Sequence, residues 1–407
     1  MTRFAGGFDI DRRRLLGAGL MLFAGPASAR GQDVIEAPIE VGDHRVSIAV
    51  HLNGRGPYRF VIDTGAELSG ISADLARDLG LRAARNVRLA GRQFELFAID
   101  ELVLGGVVRQ AGAAFFGLED AGALGGDGLL SAGLVTAFDS ELRHGEGLWR
   151  IHPCGLASME GYAPVPARLE PPRVDGLSLR PHGPVRVGDA EIDAVWDTGG
   201  PHALSLSRNI AERLGLTGPE VPFAPIPSRT IRGRSAVPSR LVAAPPLEVG
   251  GERFEGARIR IRMDDPFPNT AILGFPVLRS LDMAIADRGR RFGIRRNALQ
   301  PVYLPYGLSG LWLDEVRRSI RVSVVGAGSP AAEAGLREGD VITNLGDLQS
   351  AIGALRGPDG ASVDVTFVRA GQTQSATLRL RDYLTLQGAF GNGTPPDAQR
   401  HAPLLRR

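Results

Sequence analysis

Phe60-Val61-Ile62-Asp63-Thr64-Gly65-Ala66 is an apolar run that ends abruptly on a carboxylate. A strand that buries Phe60 and Ile62 should not end on Asp unless that charge is used or paired, because an unpaired buried carboxylate is costly. The pattern returns once, as Ala194-Val195-Trp196-Asp197-Thr198-Gly199-Gly200. At about 5% usage per residue type, a given tripeptide is expected roughly a twentieth of a time in a chain of this length. Two copies in matching apolar contexts point to a duplicated unit.

The surroundings repeat as well. Val46, Ile48, Val50 and Leu52 alternate with polar or small residues, which predicts a half-buried strand. Asn53 to Pro57 reads as a turn, and Tyr58–Ile62 as the returning strand that delivers Asp63. Ser72 to Leu81 predicts a short helix, capped by Ser72 and ended by Gly80. Strand-like segments follow at 87–89, 94–99 and 102–108, divided at Gly91 and at Gly105-Gly106. After Asp197, Ser207 to Leu216 is the counterpart of the Ser72 helix. Leu130 matches Leu273, Asp139 matches Asp282, Trp149 matches Phe292 and Ile151 matches Ile294, each pair 143 positions apart. Two β-rich lobes of one plan are expected, at 33–154 and 176–297. The proline-rich interval 155–175 reads as a linker.

Two Asp-Thr-Gly turns that meet on a twofold axis place two carboxylates in contact. At about 3 Å and an effective dielectric near 20, ionising both costs roughly 5 kcal/mol, so the pair holds one proton. One carboxylate is then a general base for a bound water, and the protonated one a donor to a scissile carbonyl. At these residues the chain resembles the retropepsin-like bacterial aspartic proteases, with both halves in one chain. The likeness rests on Asp63-Thr64-Gly65-Ala66, Asp197-Thr198-Gly199-Gly200 and the later Ile272-Leu273-Gly274. It implies a mainly β fold of two duplicated acid-protease lobes forming a pseudo-twofold barrel. It also implies Asp63 and Asp197 as the catalytic pair, Thr64 and Thr198 as cross-bridging hydroxyls, and Gly65 and Gly199 as turn glycines. Flaps are implied too, with Gly91 and Gly233 as candidates. Two departures stand out: Ser131 replaces the expected glycine of the first lobe, and Gly200 follows the second turn.

After Asn297 the pattern changes. Residues 304–384 resemble a PDZ domain, a small α+β fold, through Ser329-Pro330-Ala331-Ala332, Gly335-Leu336 and Gly339-Asp340-Val341-Ile342. Ser309, Gly310 and Leu311 stand where a carboxylate-binding loop is expected, which implies docking of a peptide terminus. The usual Asn-Gly hairpin after the Asp-Val-Ile strand is missing. The tail 387–407 reads as disordered.

The 407 residues carry 47 basic side chains, all arginine, and 45 acidic ones. Arg12-Arg13-Arg14-Leu15-Leu16, an apolar run to Gly25 and Ala27-Ser28-Ala29 read as a cleaved export signal over 1–29, similar to a twin-arginine leader. Without it, basic and acidic residues are equal in number, and nothing resembles a nucleic-acid surface. Cys154 is the single cysteine, and the seven histidines show no metal-ligand spacing, so neither cofactor nor metal is expected. His202 reads as an exposed loop histidine, with a substrate-subsite role as the alternative. Arg258, Arg260 and Arg262 read as the solvated face of a strand. The expected function is a periplasmic or secreted aspartic endopeptidase acting on peptides or proteins. The alternative is a non-catalytic periplasmic peptide-binding scaffold on the same fold.

Overall fold

The computed structural model describes residues 20–22, 34–89, 92–119, 125–172, 177–230, 233–265 and 267–384. The segment 1–29 read as an export signal, apart from Leu20–Leu22, and the tail 387–407 lie outside the described residues. The chain divides into two compact units, Met1–Leu216 with Ile226–Tyr306, and Thr217–Pro225 with Gly307–Arg407.

In the first unit, β1 (Ile35–Pro38) leads to a hairpin of β2 (Val46–Leu52) and β3 (Arg55–Ile62). The hairpin reverses at Asn53-Gly54, whose φ values of 50° and 76° match a tight two-residue turn. Next come β4 (Gly70–Ser72) and α1 (Ala73–Asp78), whose first turn is capped by Ser72 Oγ accepting from the Leu75 N–H. The hairpin of β5 (Ala83–Leu89) and β6 (Arg92–Leu104) continues into β7 (Val108–Leu118). The sequence divides this stretch near residue 100, whereas β6 runs through it. The Asp100 and Glu101 N–H groups there donate to Asn53 Oδ1. Then β8 (Gly128–Leu130) inserts parallel to β3, pairing Ile62 with Leu130. A strand paired on both edges and buried accounts for the unbroken apolar run before Asp63.

β9 (Asp139–Arg143) and β10 (Leu148–His152) close the first lobe. The interval read as a linker is built into the sheets: β11 (Ala163–Val165) pairs far along the chain with Phe292–Ile294, and β12 (Arg168–Glu170) with Arg180–His182. Proline is tolerated there because these are short strands with few ladder bonds to lose.

The second lobe repeats the plan. β13 (Arg180–Val187) and β14 (Ala190–Asp197) form its hairpin, followed by β15 (Leu204–Ser207) and α2 (Arg208–Arg213). Ser207 holds the cap position of α2 without bonding its first turn. After a short hairpin of β16 (Arg229–Thr230) and β17 (Gly233–Arg234) come β18 (Ser239–Ala243), β19 (Arg258–Arg262) and β20 (Ala271–Gly274). β20 lies parallel to β14 with Asp197 opposite Gly274, the counterpart of β8 on β3. β21 (Leu281–Ala286) and β22 (Arg291–Arg296) end the lobe.

The lobes share one sheet, in the order β11-β22-β21-β9-β10-β1. Its central pair is antiparallel, with Ser140 opposite Ile285, Glu141 opposite Ala284 and Leu142 opposite Met283. Glu141 and Ala284 are also repeat counterparts, so the pseudo-twofold axis passes through their pair. Reciprocal clasps flank it: the Arg288 N–H donates to Asp139 Oδ1 at 2.9 Å and the Gly145 N–H to Asp282 Oδ1 at 3.0 Å. Glu141 is 6% exposed and accepts from Tyr162 Oη at 2.8 Å, with His152 Nε2 at 2.9 Å. Burial opposes its ionisation, but the bonds to His152 and Tyr162 and the charge of Arg143 outweigh it and bring the carboxyl down to about 2. A depressed carboxyl contributes stability above its unfolded pKa and loses it as pH falls toward the folded value. Glu141→Gln is therefore expected to cost about 1–3 kcal/mol at neutral pH. It should also flatten the loss of stability between about pH 4.5 and 2, both read from denaturant midpoints.

In the second unit, five strands pair in the order β23 (Leu311–Val316), β24 (Ser319–Val325), β25 (Val341–Ile342), β26 (Ser362–Arg369) and β27 (Gln372–Arg379). Val322, Ala331, Ala351, Val365 and Leu378 form its core. Ser329 caps the helix Pro330–Glu333 and Asp347 caps Leu348–Ala354. Asp340, 1% exposed, is held by Arg369 Nε and Nη2, both at 2.7 Å. Thr217–Pro225 joins this unit: the Phe223 N–H donates to the Ala327 carbonyl, and Tyr383 Oη donates to the Phe223 carbonyl.

Candidate active site

The ends of β3 and β14 bring Asp63 and Asp197 together. Each is fixed by its own turn, the Gly65 N–H donating to Asp63 Oδ1 at 3.1 Å and the Gly199 N–H to Asp197 Oδ1 at 2.8 Å. Each turn also faces the other lobe's carboxylate. A Cβ placed on Gly65 would stand 2.4 Å from Asp197 Cγ, and one on Gly199 2.4 Å from Asp63 Cγ. Glycine is required here for space, since neither residue has a positive φ. Gly65→Ala or Gly199→Ala is expected to push the carboxylates apart and lower peptide cleavage at least about tenfold, a loss typical of an ångström-scale misplacement. Steady-state kinetics on a quenched peptide reads it.

Behind the pair, the two threonines cross. Thr64 Oγ1 donates to the Trp196 carbonyl at 2.5 Å and accepts the Thr198 N–H at 3.0 Å. Thr198 Oγ1 donates to the Ile62 carbonyl at 2.6 Å and accepts the Thr64 N–H at 3.1 Å. Both are fully buried. Burial first, then the charge of Asp197 and a hydrogen bond with it, raise the Asp63 carboxyl well above the ordinary carboxylate range. Arg45 and the Gly65 N–H oppose the shift without cancelling it.

Both departures from the sequence pattern are accommodated. Ser131 has no positive φ; its N–H donates to Ser69 Oγ at 3.0 Å and its Oγ lies 2.9 Å from Ser178 Oγ. At Gly200 a Cβ would stand 3.2 Å from Asp197 Oδ2 and 3.3 Å from Gly274 Cα, so glycine suits a crowded turn.

Of the flap candidates, Gly91 lies outside the described residues, beyond the hairpin end where Leu89 pairs with Arg92. Gly233 pairs with Thr230 in the β16–β17 hairpin. In the second unit Ser309 is buried, the Leu311 N–H donates to Ser309 Oγ at 3.3 Å, and the Gly310 N–H donates to the Gly307 carbonyl at 3.4 Å.

Two sequence expectations are corrected. Arg260 and Arg262 are not on a solvated face, being 9% and 6% exposed. That face of β19 is covered, and hydroxyls of Ser228, Ser239 and Thr270 receive the guanidinium groups. His202 is half-buried rather than exposed. Burial and the charges of Arg260 and Arg45 push its pKa down to about 3. Reading the polar side of β19 as solvent-facing also hid these arginines, of which Arg262 lies in the field of Asp197.

Residues 48–131 match the aspartyl protease family and residues 321–369 match the PDZ domain family. The chain thus carries an aspartyl protease domain and, after it, a PDZ domain in a mainly β architecture. A comparison with curated proteins returned no match.

Proposed function

We propose that the protein is an exported aspartic endopeptidase in which Asp63 and Asp197 jointly activate a water. The observation that carries this reading is the reciprocal geometry of the turns, each glycine set against the opposite carboxylate. Asp63, with its raised pKa, holds the shared proton and donates it to the carbonyl oxygen of the scissile bond. The partner carboxylate takes a proton from the water as its oxygen bonds to the carbonyl carbon. The tetrahedral intermediate then collapses as the C–N bond breaks and the amine leaves with a proton from the pair. The PDZ unit docks a substrate or partner chain. Its loop bonds at Leu311 and Gly310 are long, so a carboxylate would displace them as the stronger acceptor. β23 ends its sheet and leaves an edge for strand addition among the described residues.

Digestion of casein and a peptide library from acid to neutral pH tests this, with and without an active-site-directed aspartic inhibitor. Inhibitor-sensitive endoproteolysis is expected, and absence of cleavage at every pH would favour the peptide-binding scaffold. The alkaline limb of kcat/KM should follow loss of the shared proton. Because Asp63 is raised, that limb should lie well above the ordinary carboxylate pKa of about 4. Activity that collapsed near pH 4 would contradict the assignment.

A further inference from the structure

A further difference between the two lobes lies beside the carboxylate pair. Four positions after Asp63 stands Glu67, and Arg180 of the second lobe pairs with it, Nη2 to Oε1 at 3.2 Å. The place of Arg180 in the first lobe is taken by Arg45. Ser47 pairs with Val61 as His182 pairs with Val195, and the two arginines stand two residues before these counterparts. Four positions after Asp197, however, the sequence has Pro201 and no acid. Among the described residues Arg45 is left without an acid paired to it directly. Its Nη1 donates to the adjacent His44 carbonyl at 2.7 Å, and its Nε is buried with no hydrogen-bond partner. Among the described residues no carboxylate forms an ion pair with it, although Asp63 and Asp197 lie within its electrostatic reach.

A second cation is in the same condition. Arg260, 9% exposed, donates from Nε to Ser239 Oγ at 3.1 Å and from Nη2 to Ser228 Oγ at 3.3 Å, both neutral groups. The nearby Asp265 is taken by Arg262, Nε to Oδ2 at 2.8 Å. His202, the residue after Pro201, stands three residues before Ser205, which pairs with Arg260 across β15 and β19, and it lies in the field of both Arg260 and Arg45. Buried guanidinium groups are normally paired, since an uncompensated buried charge carries a heavy desolvation penalty. A guanidinium without its acid is also shaped to receive one, because its planar fork matches a carboxylate.

We propose that Arg45 and Arg260, around His202, form a carboxylate-binding subsite on the second-lobe side of the Asp63–Asp197 pair, so that the enzyme selects peptides presenting an acidic group there. The inference deepens the protease reading and rests on it. The carboxylate comes either from an internal Asp or Glu or from the free end of the substrate.

Internally quenched peptides with Glu or Gln at each position around the scissile bond, and with a free or amidated carboxyl end, separate these sources on the full chain. One acidic position, or the free end, is expected to raise kcat/KM about 10- to 100-fold over its neutral match. Arg45→Gln should collapse that ratio toward one, as should Pro201→Glu, which supplies the acid that Glu67 provides on the other side. Arg260→Met is the third variant, and the first two keep the test decisive if it does not fold. Cleavage by the wild-type chain without any preference overturns the subsite and leaves the protease reading intact. A preference that survives both Arg45→Gln and Pro201→Glu also overturns it. Should no peptide be cleaved, the protease reading fails, and calorimetric binding of the same peptides to Asp63→Asn decides the subsite. Equal affinity for acidic and neutral peptides rejects it.

Discussion

Asp63→Asn is expected to lower kcat/KM for peptide cleavage by at least about 10³-fold, the scale on which removal of a general acid–base group acts. The amide keeps an oxygen able to accept the Gly65 N–H, so the turn should hold. It cannot donate the shared proton or carry the charge. The same change makes a prediction of opposite sign for stability. A carboxyl whose folded pKa is raised contributes stability below its unfolded pKa, and that contribution is lost as pH rises through the folded value. Asp63 thus destabilises the fold toward neutral pH, whereas the amide that replaces it does not titrate. The variant should be inactive and, at neutral pH, at least as resistant to denaturant as the parent. Wild-type turnover by a purified variant would remove Asp63 from the mechanism. A variant that is inactive because it is unfolded would be seen as a lost unfolding transition.

Thr64→Val should produce the largest structural effect of a single methyl-for-hydroxyl exchange. Valine preserves the shape but leaves the Trp196 carbonyl and the Thr198 N–H unsatisfied in a site closed to water. Two stranded backbone groups cost about 2–5 kcal/mol together, and both belong to the opposite lobe. Thr198→Val should cost a similar amount through the Ile62 carbonyl and the Thr64 N–H. Activity should fall as well, since the crossed bonds set the separation of the aspartates. Thr64→Ser keeps the hydroxyl and should recover most of both losses. An unchanged denaturation midpoint for Thr64→Val would show that the crossed bonds do not hold the lobes.

The duplicated turns were legible because their constraint is local. An apolar strand that ends in Asp-Thr-Gly has few other uses, and the 143-position offset carried the second lobe with it. Glu141 was not legible. A charged residue in an amphipathic stretch reads as solvent-facing, and only pairing of β9 with β21 buries it on the axis. Arg260 and Arg262 escaped for the same reason, as an alternating pattern tells which residues share a face but not what covers that face. The prolines of 155–175 suggested a linker because β11 finds its partner far along the chain and β12 pairs across an unpatterned stretch. Ser207 shows the reverse limit: it has the same sequence context as Ser72 and the same backbone position, but makes no cap bond.

The route of the chain between Leu216 and Ile226 has a practical meaning. The polypeptide leaves the aspartyl protease unit, contributes Thr217–Pro225 to the PDZ unit, and returns just ahead of the Arg229–Arg234 hairpin. The PDZ domain is thus no detachable appendage at the carboxyl end. A protein ended at Tyr306 would lose the bonds that the Phe223 backbone makes with Ala327 and Tyr383. Swapping the domain for another would have to be done at two places in the gene.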